Sequence, residues 1–257
     1  MDAVTLERRD GIATLTLNRP DTLNAMSREL MAALAAQLDA LSTHSNLRVV
    51  LVTGAGRAFS AGGDLIEFDA TLRADPARLL ADLRFNQQVM SRVEALPVPV
   101  IGVANGLAVA GGLELLLCCD LILAAEGARV GDGHARYGVV PAGGATVRLR
   151  ERVSPSRAAQ LFFTAELVDA QTLLDWGVIN EVLPGDRLMA RALALAEEIT
   201  RCSPEAVSHI KALTTAPSST DRHARFEAEL QHFAAHVAGR DLARGLAAFR
   251  NRQPPAY

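Results

Sequence analysis

Chemistry in this chain starts with a glutamate and the two glycines in front of it. Gly102 to Asp120 reads G-V-A-N-G-L-A-V-A-G-G-L-E-L-L-L-C-C-D. The stretch joins a predicted buried strand, Val98 to Ala104, to a helix opening at Gly111-Gly112, with Glu114 one turn inside it. Backbone N–H groups at a helix N-terminus lack intrahelical partners and carry the positive end of the macrodipole, so the Gly111 N–H is available to an anionic oxygen. That is one half of an oxyanion hole. Leu113 and Leu115-Leu116-Leu117 are too apolar to face water, which makes Glu114 a lone buried acid beside a polarising N–H. A group of that kind is a candidate for proton transfer. The bland alternative is a helix-start acid satisfied by the dipole.

A second candidate lies in the glycine-rich run after Gly131. His134 there could carry a proton near neutrality, or be a surface histidine of a loop. Asp132, two residues earlier, either orients that imidazole or is a turn residue. His44, His209, His223, His232 and His236 fall on helical faces or ends and are expected in solvent. His232 and His236 have the i, i+4 spacing of metal ligands but lack a third, so no metal site is expected. Cys118, Cys119 and Cys202 form no ligand spacing, and the adjacent pair reads as buried thiols in a reducing cytoplasm. Tyr137 and Trp176 read as packing residues.

The elements that must position these groups are those of an α/β chain of 257 residues, 49% apolar, with a net charge of −3. That charge argues against general nucleic-acid binding, which needs a concentrated basic face. Nothing reads as a signal core or a membrane span. Val4 to Glu7 and Ile12 to Leu17 alternate around Asp10-Gly11, a hairpin signal. Ser27 caps a helix carrying Leu30, Met31, Leu34, Leu38 and Leu41, ending near His44. Arg48 to Thr53 is a short apolar run, as in a strand buried on both faces, and it empties into G-A-G-R-A-F-S-A-G-G-D. A strand followed by such a loop and a helix is where α/β proteins place ligands.

Further along, the pattern predicts a helix over Pro76 to Leu96, strands at Asp120 to Ala125 and Arg129 to Gly131, and a loop from Gly131 to Thr146. Helices follow from Ser154-Pro155 and from Asp169 to Trp176-Gly177, then a last strand at Val178 to Leu183. From Asp186 the chain is nearly all helix, broken at Ser203-Pro204, Ala216-Pro217 and Gly239.

Two stretches together carry a resemblance. Ala58-Phe59-Ser60-Ala61-Gly62-Gly63-Asp64-Leu65, and Ala104-Asn105-Gly106 through Gly111-Gly112-Leu113-Glu114 to Cys119-Asp120, resemble the two signature segments of the crotonase superfamily, the enoyl-CoA hydratase and isomerase group. The resemblance extends over Val139 to Leu149, Ala170 to Leu183 and the ending G-L-A-A-F-R-N-R. It implies an α/β fold of the ClpP/crotonase type, a spiral of repeated ββα units with a C-terminal helical region: a core over 1–185 and a helical oligomerisation region over 186–257. It implies an oxyanion hole made by the N–H groups of Gly63 and Gly111 for an acyl-CoA thioester carbonyl. Glycine at both positions could otherwise serve only turns and close packing.

Glu114 matches the first catalytic glutamate of the hydratases. Where a hydratase has glycine, glutamine, proline, glutamate, this chain has Gly131-Asp132-Gly133-His134, so His134 takes the place of the second glutamate. An imidazole partly neutral near pH 7 would activate water less well, so weak hydration is expected, and His134→Glu should raise it. Ala58, Ala61, Gly63, Asp64, Leu65, Ile66 and Gly111 are implied as substrate contacts, although many members carry a lysine where Ile66 stands. Phe249 and Arg252 are implied to cover the CoA nucleotide across a subunit boundary of a trimer or pair of trimers. No cofactor is implied beyond the coenzyme A of the substrate. Two rivals remain: hydrolysis of a carbon–carbon bond in a β-diketone, where some relatives pair a histidine here with an aspartate nine residues later and this chain has Gly143, and an acyl-CoA binding protein without turnover.

Overall fold

The computed structural model describes residues 2–44, 46–215, 221–237, 239–251 and 253–257. The chain opens with strands β1 (Val4–Arg9) and β2 (Ile12–Leu17), antiparallel, with Arg9 opposite Ile12. Asp10 and Gly11 between them have φ of 51° and 81°, the paired left-handed conformation of a two-residue hairpin turn. Helix α1 (Arg28–Ser42) follows, its Ser27 cap accepting the Leu30 N–H at 3.2 Å. It stops at Ser42, two residues before His44.

Then come β3 (Val49–Gly54), β4 (Ala58–Ser60), α2 (Leu65–Ala74), α3 (Pro76–Glu94), β5 (Val100–Ala104), β6 (Leu107–Val109) and α4 (Gly111–Leu117). Next are β7 (Leu121–Ala125), β8 (Arg129–Gly131), a 3-10 turn at His134–Tyr137, α5 (Ala145–Arg152), α6 (Pro155–Thr164), β9 (Leu167–Asp169), α7 (Ala170–Asp175) and β10 (Glu181–Leu183). The tail holds α8 (Gly185–Thr200), α9 (Pro204–Thr214), α10 (Arg222–Val237) and α11 (Asp241–Asn251).

Six strands form one sheet in the order β1-β2-β3-β5-β7-β10, and four form another in the order β4-β6-β8-β9. Each of the pairs β3/β4, β5/β6 and β7/β8 gives one strand to each sheet, and every neighbour within these series is parallel. The result is the ββα spiral of the crotonase fold. β3 and β5 are buried along their whole length, as their uninterrupted apolar runs require.

Several boundaries move for identifiable reasons. β5 begins at Val100 rather than Val98, after two prolines that cannot donate to a ladder. The last strand shrinks to Glu181–Leu183, because the N–H groups of Val178 and Ile179 turn back to the Leu173 carbonyl. The loop over 131–146 contains the 3-10 turn and gives way to α5 at Ala145. α8 carries Leu188, Ala192 and Ala196 on one buried stripe and packs across β2, β3, β5 and β7. Breaks at Ser203-Pro204 and Gly239 separate the tail helices; Ala216-Pro217 lies outside the described residues.

Candidate active site

The two glycine segments meet edge to edge. Gly62 has a φ of 84°, and a Cβ on it would fall 2.6 Å from the Val109 carbonyl oxygen and 3.1 Å from the Gly111 nitrogen. A Cβ on Gly111 would strike Met26 Sδ at 2.8 Å and lie 3.6 Å from the Gly63 nitrogen. The backbone can approach this closely only without side chains. Met26 locks the first segment, its N–H donating to the Gly62 carbonyl at 2.7 Å. Ala110, at φ 52°, turns the chain from β6 into α4, so that the Gly111 N–H opens the helix.

Gly63 and Gly111 line a cavity of about 660 Å³. Glu114 and His134 line it too, with apolar side chains from α2 (Phe68, Leu72) and α3 (Leu83, Met90). Glu114 is only 3% exposed. Its Oε1 accepts the N–H groups of Gly143 at 2.7 Å and Ala145 at 3.2 Å, the start of α5. Oε2 has no hydrogen-bond partner among the described residues. Gly143 is packed against the carboxylate so tightly that a Cβ there would lie 2.4 Å from Oε2.

His134 opens the 3-10 turn and is tied twice to Asp132. Its backbone N–H donates to Oδ2 at 3.2 Å, and ring Nδ1 lies 2.8 Å from Oδ1. Asp132 itself is 1% exposed, so this buried carboxylate both shapes the turn and orients the ring. Burial by itself would lower the His134 pKa, but the Asp132 hydrogen bond and charge, with Glu114 adding its own, outweigh it and raise the value above 6.5. With Nδ1 engaged, Nε2 is the nitrogen left for a ligand.

The expected residues do not all gather here. Ala61, Gly63, Leu65, Gly111, Glu114 and His134 line the cavity. Ala58 is buried in β4, where its carbonyl accepts the side chains of Asn24 and Asn105. Asp64 caps α2 through the Glu67 N–H and stands 3.7 Å from Arg19, and Ile66 is 86% exposed; neither lines the cavity. Arg252 and the side chain of Phe249 lie outside the described residues.

Tyr137, expected in packing, is 69% exposed and lines the cavity. Trp176 does pack against the core, with Arg157 5.2 Å from its ring centre. Cys118 and Cys119 are buried thiols; burial pushes Cys118 up to about 12 and Cys119 further in the same direction.

Three tail histidines depart from expectation. His209 of α9 meets His232 of α10 with Nδ1 to Nδ1 at 2.9 Å, and the His236 ring centre lies 5.8 Å from that of His209. They pack on one another instead of standing in solvent. Among the described residues, no three His, Cys, Asp or Glu side chains are placed to hold a metal ion. No helix among them is long and apolar enough to cross a membrane.

Sequence reasoning expected pocket-lining residues between Glu67 and Asn86 without naming them, and it missed Gly143 and Ala145 as the donors that hold Glu114. The α2 segment has no fully buried residue; its apolar stripe of Leu65, Phe68 and Leu72 faces the cavity rather than the core.

Comparison with known proteins agrees with this geometry. Residues 7–257 match the enoyl-CoA hydratase/isomerase family. The chain is 33% identical to the 2,3-dehydroadipyl-CoA hydratase of Escherichia coli (strain K12) over 257 residues, 100% of this chain and 99% of that protein. It is 31% identical to the crotonyl-CoA hydratase of Syntrophomonas wolfei over 251 residues, 97% and 95% of the two chains. The crystal structure of the enoyl-CoA hydratase from Bacillus anthracis superposes with a TM-score of 0.94 at 31% identity, over 99% of this chain and 98% of that one. With the ββα spiral and the paired glycine segments already in place, these matches identify the chain as an acyl-CoA-processing enzyme of the enoyl-CoA hydratase/isomerase family.

Proposed function

We propose that the enzyme adds water across the double bond of a 2-enoyl-CoA, with Glu114 and the His134–Asp132 pair moving the protons. The thioester oxygen accepts the N–H groups of Gly63 and Gly111. Glu114 holds a water through Oε2 and takes one of its protons as the oxygen bonds to C3. Charge passes to the thioester oxygen as an enolate, and the two fixed N–H donors stabilise it, an effect worth roughly 3–4 kcal/mol for one such donor. His134, protonated, then gives its Nε2 proton to C2. Net addition of water leaves Glu114 protonated and His134 neutral, and exchange with solvent resets both.

The observation that carries this reading is the shared cavity: Glu114 and His134 line the same space as Gly63 and Gly111. The raised pKa of His134 supports the acid role, since it widens the pH range over which the ring carries a proton to deliver. Carbon–carbon bond hydrolysis is less favoured, because the aspartate it would need at 143 would collide with Glu114.

Ala61, Gly63 and Leu65 would pass the pantetheine arm, with Ala58, Asp64 and Ile66 beside it and Phe249 and Arg252 over the nucleotide. The helical region over 186–257 would build a trimer or a pair of trimers, and the free thiols suit a reducing cytoplasm.

Purified protein incubated with crotonyl-CoA, a 3-enoyl-CoA and a β-diketone tests the proposal directly. Loss of the conjugated enoyl absorbance with 3-hydroxyacyl-CoA formed is the expected result. Turnover of the 3-enoyl-CoA or the diketone alone would replace it with another reaction, and tight CoA-thioester binding with no turnover would overturn it.

A further inference from the structure

Glu114 is held by a loop with little stiffness of its own. Its two donors, the N–H groups of Gly143 and Ala145, flank the Gly143–Gly144 peptide. Both residues of that peptide are glycine, the residue that loses most backbone freedom on being fixed. Gly144 stands at φ 107°, and α5 starts at the next residue.

The group that grips this peptide is Arg148, one turn into α5 and 9% exposed. Its Nη1 donates to the Gly143 carbonyl at 2.7 Å. Nε and Nη2 donate to Glu94 Oε2 at 3.0 and 2.8 Å, and Nη2 also reaches Ser91 Oγ at 3.2 Å. The guanidinium fills the space beneath the loop so closely that a Cβ on Gly144 would fall 2.2 Å from Nη1. Burial works against its charge, but the Glu94 hydrogen bond and the nearby Glu94 and Glu114 carboxylates keep it protonated. Ser91 and Glu94 lie on α3, next to Met90, which lines the cavity and would touch a Cβ placed on Gly143 at 2.9 Å.

We infer that Arg148 is a positioning residue for Glu114: it clamps the Gly143–Gly144 peptide between α3 and α5, so that the flanking N–H groups aim the carboxylate at the thioester. The inference rests on the proton-transfer role of Glu114 given above. Lysine cannot reproduce the clamp, since one ammonium lacks the planar fork that spans Gly143, Glu94 and Ser91 together.

Arg148→Met, Arg148→Lys and Glu94→Gln test it, with Arg150→Met, an exposed change on the same helix, as control. Turnover number and KM are measured with the thioester the wild type uses, and hydrogen exchange is followed across 139–149. A displaced catalytic group loses rate out of proportion to binding, so kcat should fall roughly tenfold to a hundredfold in Arg148→Met, with KM within about threefold. Arg148→Lys should be intermediate, Glu94→Gln milder, and the control unchanged. Exchange at 143–145 should quicken in the first three while β3 and β5 stay protected. If Arg148→Met does not fold, Glu94→Gln carries the same two readouts. Wild-type kcat, or a lowered kcat with unchanged exchange at 143–145, would overturn the clamp. A wild type inactive on every thioester would overturn the functional reading instead, and exchange alone would then decide the role of Arg148.

Discussion

At the scale of single residues, Glu114 and His134 differ in what their surroundings ask of them. Glu114 Oε1 accepts two backbone N–H groups, so its place is fixed by main chain and its free oxygen is left for water. Glu114→Ala should therefore lower kcat by on the order of a thousandfold or more while thioester affinity stays nearly unchanged, because the Gly63 and Gly111 donors belong to the backbone. Stopped assays paired with binding titrations would check this, and near-normal turnover would remove Glu114 from the chemistry. His134 has its pKa raised against burial by Asp132, so its acid form is full below 6.5 and is lost as pH rises through the raised value. Any stability the pair contributes follows the same sign. Asp132→Asn leaves the burial and removes the main raising group, so the alkaline limb of the kcat profile should move to lower pH; His134→Ala should erase that limb. The two glycines and the apolar flank made Glu114 legible in the sequence. Asp132 was not, since an aspartate two residues before a histidine suits a turn as well as an ion pair, and here it serves both.

Elements were readable where a local rule fixes them. Ser27 and Asp169 each accept a backbone N–H three residues on, which is a signal carried by one residue and its offset. The Asp10-Gly11 turn was readable for the same reason. By contrast, β4, β6 and β9 have three residues each, too short to show any alternation, and exist because neighbouring strands pair with them, β4 and β6 in parallel and β9 antiparallel to β8. α2 is one short stretch of ten residues whose apolar face, Leu65, Phe68 and Leu72, lines the cavity rather than the core. A cap written so locally has a local energy: Ser27→Ala should lower stability by about 1 kcal/mol. Urea denaturation should show that loss with an unchanged slope, and a change within experimental error would mean that α1 is held by packing alone.

For the whole molecule, the question is what covers the tail. α9 is anchored to the core by Lys211, the chain's single lysine, whose Nζ donates to the Val98 carbonyl at 2.9 Å and pairs with Asp120 at 2.8 Å. α10 then packs on α9 through the face that carries His232 and His236. Another face of α10 presents Leu230, Phe233 and Val237, between 53% and 64% exposed, at the spacing of one helical stripe. The sequence shows this stripe as Phe226, Leu230 and Phe233, but a stripe alone does not say whether the chain's own core or another subunit covers it. The fold answers the first half, since the first sheet is already covered by α8. A contiguous apolar stripe left outside a filled core fits the association surface proposed for the tail. Sedimentation at micromolar concentration should give a mass that is a multiple of three chains. Burying a leucine or phenylalanine is worth about 1.5–3 kcal/mol, so Leu230→Asp with Phe233→Asp should weaken assembly by roughly a hundredfold or more. The double variant should then sediment toward monomer while its core, measured by denaturation at high concentration, stays close to wild type. A wild-type protein that remains monomeric across that range would show that the stripe has another use.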